Sequence, residues 1–498
     1  MASGQQHFDA LVLGGGSAGC VLAARLSETP ERTVCLVEAG PDYGAHGSGR
    51  WPEDLLDATA APRSHDWDLD VGLRAKVIGG CSAQNACFIV RGEPSDYDEW
   101  AARGNPGWSF TEFEPYLRRA RDAIGARRVL DEEINPWQRA VLDGAAALGI
   151  PVLDDLDDAS VTTAIAPVPC NRIRDVRWNA AFAYLDLARE RPNLSVLDHA
   201  LIDRLRLRAG RARGAVIRRD AQEVDIDADV VVLAAGAYGS PAILLRSGVG
   251  PAAELRRLSI GVETALDGVG RNLIDHAGVS SRFTLDTGMS EALARHAAHG
   301  PLFTDQCVLK AASRHEGGRH TGLHIVPRTS PSQGGCSLVG EMSTFVLKPR
   351  SSGGLRLRSA DPLESPEIFQ AYATDAGGHD LAVLQEGLTL GAEIMQSTPL
   401  LRACQRDPQN GDDEASLRAR VKGYDHPVGT CRMGPADDGE AVTDTTGRVH
   451  ALDNVYVADA SIMPTIPRAN TNLTVLALAE RIADRLTRPY GASVRPGL

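Results

Sequence analysis

Phe8-Asp9-Ala10-Leu11-Val12-Leu13-Gly14-Gly15-Gly16-Ser17-Ala18-Gly19 is the stretch whose reading decides the fold. Leu11, Val12 and Leu13 form a short apolar run, the pattern of a parallel strand buried on both faces. Gly14, Gly16 and Gly19 then fall in the order G-x-G-x-x-G. The first permits a tight turn, the second lets the backbone approach a pyrophosphate, and the third lets a helix lie close to the strand. A helix follows at once, with Ala18, Val21, Leu22 and Leu26 on one face and Arg25 off it. Its opening amides, at Ser17 and Ala18, and its dipole suit phosphate oxygens.

Thr33-Val34-Cys35-Leu36-Val37 reads as a second parallel strand ending in Glu38 and Ala39. Glu38 lies close to the offset of ~20 residues at which a carboxylate meets a ribose. An acid here favours a free ribose hydroxyl over a 2′-phosphate. A glycine-rich turn followed by a solvated glutamate would contain the same residues. Strand, turn, helix, strand and acid in the order of the fingerprint favour a dinucleotide site. The motif does not separate FAD from NAD.

The 498 residues leave room for two to four domains of ~150 residues. Lys plus Arg (52) against Asp plus Glu (65) gives −13, which disfavours nucleic acid or an anionic membrane as a partner. Mere solubility accounts for the charge equally well. No apolar run approaches the ~20 residues of a membrane span. With the first strand starting near Phe8 and no basic or apolar stretch ahead of it, a signal peptide is not expected. The nine cysteines are scattered, and none forms a C-x-x-C pair. Reduced thiols, a cytoplasmic location and no bound metal are the expectation.

After Pro41 a loop rich in Gly, His, Asp and Pro runs to about Asp70, a surface loop or a cover for the cofactor. Gly79, Gly80, Ser82 and Asn85 belong to a small-residue stretch whose backbone can approach something flat or charged, or can simply pack. Residues 95–148 read as helical, with Trp100, Phe113, Tyr116 and Leu117 as core, and 194–228 as a β meander. Val230-Val231-Val232-Leu233-Ala234-Ala235-Gly236 returns to a buried strand ending in glycine, followed by a helix over 242–247. From 277 to 422 the texture changes to a separate β-based module, with alternating runs such as Leu355-Arg356-Leu357-Arg358 and a helix over 380–396. Val455-Tyr456-Val457-Ala458-Asp459-Ala460 is another strand ending in an acid, and 474–486 a closing helix.

Five spaced motifs in this order resemble the glucose–methanol–choline (GMC) family of flavin-dependent oxidoreductases. They are Gly79 to Gly92; Gly236 to Gly250; Gly268-Val269-Gly270-Arg271-Asn272-Leu273-Ile274-Asp275-His276; His426 to Gly434; and Asp459 to Pro464. The resemblance implies an α/β fold, α+β overall. A discontinuous Rossmann-like FAD-binding domain (1–150, 195–276, 425–498) would be joined to an antiparallel-sheet substrate-binding domain (151–194, 277–424). It implies FAD rather than NAD, held by the glycines named above with Ser17, Ala18, Glu38, Ala39, Ser82, Asn85, Ala235, Asp459, Ala460, Thr471 and Asn472. The reaction implied is oxidation of a small-molecule alcohol, with oxygen or a quinone or other redox carrier as acceptor. A hydroxynitrile lyase or a light-driven decarboxylase on the same fold is the alternative.

Alcohol oxidation removes a proton from oxygen and a hydride from carbon, so a base must stand near the hydroxyl, and imidazole suits the task. Of thirteen histidines, His426 stands before Pro427 where the chain re-enters the flavin domain. The resemblance gives it the role of base and gives Asn470 that of the second polar group, an amide able to donate to a developing alkoxide. Asn472 competes for that role, and an N-cap is the plain alternative for either. Some relatives attach FAD covalently through a histidine where this chain has Gln84, so non-covalent FAD is expected. Asp425 stands where relatives usually carry an aromatic, and it either faces the substrate, raises the His426 pKa, or turns away into solvent or a salt bridge.

Overall fold

The computed structural model describes residues 6–332, 337–411 and 413–487. The opening run forms the strand Gln6–Leu13, paired in parallel with Val34–Val37 on one edge and with Gln222–Leu233 on the other. Leu194–Leu197 extends the sheet beyond Val34–Val37, also in parallel. Gln222–Leu233 serves two neighbours on its far edge: antiparallel Arg211–Arg219 along its first half and parallel Val455–Val457 at its end. The parallel core is thus assembled from the N-terminal, middle and C-terminal thirds of the chain. Leu11, Val12, Leu13, Val231, Val232 and Val457 are fully buried, as continuous apolar runs in a two-sided sheet require.

The helix Ser17–Leu26 packs against the closing helix Asn472–Thr487, which packs in turn against Phe110–Ala123. A buried acid ties the three together: Glu480 Oε2 lies 3.2 Å from both Arg25 Nε and Arg119 Nη1. Burial pushes that carboxyl upward and the two guanidiniums oppose the shift.

The second sheet is antiparallel, in the order Gln405–Arg406, Ala277–Thr284, Leu338–Val346, Thr321–Pro331, Cys307–Ala312, Ala164–Pro167. Alternation sorts its side chains. Leu309, Leu323, Ile325 and Met342 enter one core with the helices Pro136–Ala147 and His379–Ser397, while Val308, Val326 and Phe345 enter another with Tyr424, Phe88 and Ala469.

Several elements lie elsewhere than the sequence reading put them. Pro136–Ala147, inside the 1–150 range, packs Trp137, Val141 and Ala145 into the second core. Phe182 and Leu185, inside 151–194, pack into the first. Leu355 and Leu357 also join the first core, because Leu355 N donates to Gly270 O and draws its hairpin onto the side of the parallel sheet. The reading of 95–148 as helical resolves into three helices, Pro94–Ala102, Phe110–Ala123 and Pro136–Ala147. The helix expected over 242–247 begins earlier and spans Gly236–Arg246, with Pro241 inside it. The carbonyl of Ala237, which Pro241 leaves without its helical donor, accepts from Thr430 Oγ1 instead.

The eight described cysteines are unpaired, and Cys336 lies outside the described residues. Among the described residues no helix is long and apolar enough to cross a membrane.

Candidate active site

The glycine turn is a backbone device. Gly14 has φ +113°, and a Cβ on Gly19 would lie 1.8 Å from Gly14 O, so strand and helix close on each other there. Gly16 faces Gly80 of the second glycine stretch: a Cβ on Gly80 would meet Gly16 Cα at 2.5 Å. Gly79 N donates to Gly15 O at 2.8 Å, Ser82 Oγ donates to Gly79 O, and Ala180 N donates to Ser82 Oγ, which locks the two turns together. Ser17 Oγ donates to Asn472 Oδ1 at 3.1 Å, so the N-termini of two long helices converge on this place. Neither helix has an acid in its first turn, which leaves both dipoles free to favour an anion.

Two acids expected at a nucleotide also accept hydrogen bonds from the protein itself. Glu38 is buried, and its carboxylate accepts from Gly15 N (2.8 Å) and Gly40 N (2.9 Å), with burial pushing its pKa up to about 7. The carboxylate thus braces the glycine turn, while Ala39 beside it is partly exposed. Asp459 accepts from Gly236 N and Ser240 Oγ through one oxygen, and from Ser461 N and Oγ through the other. Its side chain is a clamp between the middle and C-terminal strands. Ala235, whose amide donates to Ser240 Oγ, and Ala460, whose carbonyl accepts from Gly429 N, are ordered by the same clamp. Asn85 Oδ1 caps its own turn by accepting from Cys87 N.

His426 is placed by a ladder with a defect. Ile274 pairs with Val428, and Ala277 with Gly423, both antiparallel. Three steps on one strand therefore oppose five on the other, and the excess is absorbed where Asp425 adopts φ +65°. The bulge sets His426 opposite His276, with Nδ1 to Nδ1 at 2.9 Å and ring planes at 89°. Asp275 holds the bulge by accepting from His426 N (2.9 Å) and from Tyr372 Oη (2.9 Å). The other ring nitrogen, His426 Nε2, lies 3.2 Å from Asn470 Nδ2. Asn470 sits on a segment pinned to the helix Pro94–Ala102, where Asp96 accepts from Arg468 N and Nη1 (both 2.7 Å) and Trp100 Nε1 donates to Thr465 O. Asn472, by contrast, begins the closing helix and bonds to Ser17.

The roof over this pair is the second sheet. Phe345 stacks on Tyr424, with centroids 3.6 Å apart and planes within 5°, and Tyr424 lies 4.3 Å from the His426 ring. His324 pairs across strands with Phe345 and is buried. Burial, and then the neighbouring His276, Arg74, His324 and Arg328, hold His426 well below the ordinary imidazole pKa.

Asp425 turns away from this pair. Its carboxylate is 49% exposed and lies 3.7 Å from Arg74 Nη1, which also sits over the Tyr238 ring. Adjacency in sequence does not become contact with the imidazole, because the positive-φ residue directs its side chain across the bulge to the loop of Gly72 and Arg74. Asp425→Asn is accordingly expected to move the acid limb of kcat/KM downward by roughly half a pH unit or less. A shift beyond one unit would put the carboxylate at the ring.

The GMC oxidoreductase models match residues 8–278 (N-terminal part) and 349–479 (C-terminal part). The chain belongs to this family. A 5-(hydroxymethyl)furfural oxidase of Methylovorus sp. is 34% identical over 96% of this chain and 98% of its own length. An oxygen-dependent choline dehydrogenase of Burkholderia thailandensis is 32% identical, covering 97% and 94%. Among solved structures, pyridoxine 4-oxidase from Mesorbium loti superposes with a TM-score of 0.82 at 27% identity, covering 96% and 99%. This GMC protein is an FAD-dependent oxidoreductase with the mixed α/β architecture of its family.

The residues present fit that cofactor. A Cβ on Gly16 would meet only Gly80 Cα at 3.7 Å, so the paired turns leave a backbone-lined cradle. Gln84 Oε1, at the end of the turn Gly80–Ala83, and Asn472 Nδ2, on the residue bonded to Ser17, are buried without protein partners. Nothing in the sequence alone gives His276, Asp275, Arg74 or His324 a role. The first two sit inside a quoted motif, and that was their only signal. His324 is marked only by strand alternation that puts an imidazole in an apolar row.

Proposed function

We propose that this GMC oxidoreductase oxidises a primary alcohol borne on a flat ring to the aldehyde, with oxygen or another electron carrier as the final acceptor. The observation that carries the reading is the pair His426 Nε2 and Asn470 Nδ2, 3.2 Å apart beneath an aromatic roof. A hydroxyl oxygen that displaces this direct contact gives its proton to Nε2 and accepts the amide N–H in place of the imidazole. As the oxygen becomes alkoxide-like, the amide bond strengthens. FAD, when bound, supplies the hydride-accepting chemistry. Gly14, Gly16, Gly19, Gly79, Gly80 and the first amides of the helix at Ser17 would hold it, with Thr471 and Asn472 closing the site from the C-terminal segment.

Phe345, Tyr424, Phe88 and Val326 make the roof apolar and largely aromatic, which suits a flat ring. The relatives named for a hydroxymethylfuran and for pyridoxine point the same way. Gln84 lacks a ring nitrogen for a flavin link, and its Nε2 donates to Ser64 O, which supports non-covalent FAD. Buried unpaired thiols support a reducing, cytoplasmic setting.

The test is anaerobic mixing of the yellow holoenzyme with benzylic, furanyl and pyridinyl methanols. Bleaching of the oxidised flavin band is expected, and indifference to all three would reject the substrate class. Air admitted afterwards separates the acceptors: recovery within seconds marks an oxidase, and persistence for minutes a dehydrogenase. Acid precipitation of the same preparation is expected to release all the flavin to the supernatant.

A further inference from the structure

The histidine opposite the base is not spare. We propose that His276 is a positioning residue that fixes the tautomer of His426, keeping the proton on Nδ1 and the lone pair of Nε2 turned to the substrate.

The inference follows from counting donors. A neutral imidazole carries one N–H and one lone pair. His276 Nε2 lies 3.1 Å from Pro467 O, and a carbonyl only accepts, so His276 Nε2 bears the proton. His276 Nδ1 is then a lone pair, 2.9 Å from His426 Nδ1, so His426 Nδ1 donates. The lone pair of His426 is left on Nε2, where Asn470 Nδ2 meets it at 3.2 Å. The chain of bonds has one polarity: Asn470 donates to His426, His426 to His276, His276 to Pro467. It cannot be reversed, because Pro467 O has no proton to give.

His276 is fully buried, and burial holds its pKa down to about 3, so it stays neutral. Lys348 and Asp96 face it with opposite signs, and burial also holds His324 at about 3. Arg74 and Arg328 face His426 from the loop and the roof. The nearest carboxylate, Asp275, is spent on the His426 backbone amide and Tyr372. The base is therefore oriented by a neutral ring rather than by a carboxylate. Orientation comes without the negative charge that would raise the base's pKa.

The inference rests on His426 as the base, but its first readout does not. In holoenzyme labelled with ¹⁵N-histidine, nuclear magnetic resonance near pH 7 is expected to show His426 protonated at Nδ1 and bare at Nε2, with His276 protonated at Nε2. A proton on His426 Nε2 overturns the proposal whatever the activity. Two variants supply the kinetics. His276→Leu has no acceptor and is expected to lose ~10²-fold in kcat/KM, less than the ~10⁴ of a wholly wrong tautomer. His276→Asn offers an amide oxygen and is expected to recover to within ~10-fold of the parent, with unchanged FAD content. His276→Asp is expected to move the acid limb of kcat/KM upward by more than one pH unit, the mark of a charge placed behind the base. Equal losses in the Leu and Asn variants, or an unmoved limb in the Asp variant, would reduce His276 to packing. The predicted tautomer together with full activity in His426→Ala would instead sink the base assignment alone.

Discussion

His426→Ala is expected to fold, to bind FAD as the parent does, and to lose about 10³-fold in kcat/KM for alcohol, within the range general-base removal costs. The FAD cradle and the imidazole are separate constructions. The proposed cradle rests on Gly14, Gly16, Gly80 and two helix N-termini, and its close contacts are among those elements. The bulge is held through the His426 backbone amide on Asp275, a bond that alanine keeps. What disappears is Nε2, the acceptor beside Asn470. Because hydroxide can replace a missing base, the residual rate of the variant is expected to rise with pH. The parent rate behaves differently. Burial and four cationic or imidazole neighbours hold His426 well below its usual pKa, so its neutral form prevails at pH 7. The parent's kcat/KM is then flat through neutrality and declines only as the pH falls through that depressed pKa. Stopped-flow reduction across pH 5–9 reads both profiles, and loss of less than about tenfold in the variant would remove His426 from the base role.

Gly19→Ala is expected to yield a colourless, destabilised protein, with a loss of ~3 kcal/mol in folding stability. The new Cβ would lie 1.8 Å from Gly14 O and 2.9 Å from Gly14 C, and both are backbone atoms of the turn that must shift. Gly16→Ala is its counterpart. Its Cβ meets only Gly80 Cα at 3.7 Å, so the protein without flavin is expected to keep its melting temperature while its affinity for FAD falls, because the methyl occupies the approach to the pyrophosphate. The ratio of flavin to protein absorbance, with thermal melts of the flavin-free forms, separates the two effects. A yellow Gly19→Ala protein with an unchanged melt would show that strand and helix do not close as tightly as described.

The contrast between these glycines marks how far the chain could be read. Gly14, Gly16 and Gly19 declare the turn because strand, turn and helix are contiguous, and local backbone rules act over a few residues. The buried strands at Leu11, Val231 and Val455 were legible for the same reason, as continuous apolar runs flanked by glycine or acid. Glu38 and Asp459 were legible as acids ending strands, but the amides they accept within the protein were not. Each accepts backbone amides, and those amides come from turns whose folding is itself tertiary. Domain boundaries blurred where a segment changes partner, as Pro136–Ala147 does, since nothing in a helix's own sequence names the sheet it will cover.

By itself, then, the sequence determined a parallel nucleotide sheet, and through its five motifs a family resemblance that implied FAD and pointed to His426 and Asn470. The tertiary structure alone decided the rest. It set His426 against His276, 150 residues away, and sent Asp425 to Arg74 rather than to the imidazole beside it in the chain. It also faced Gly16 with Gly80. The physical reason is the same in each case. A side chain's direction at a bulge depends on the register of two strands distant in sequence, and the side of an imidazole that carries its proton depends on the partner of its partner.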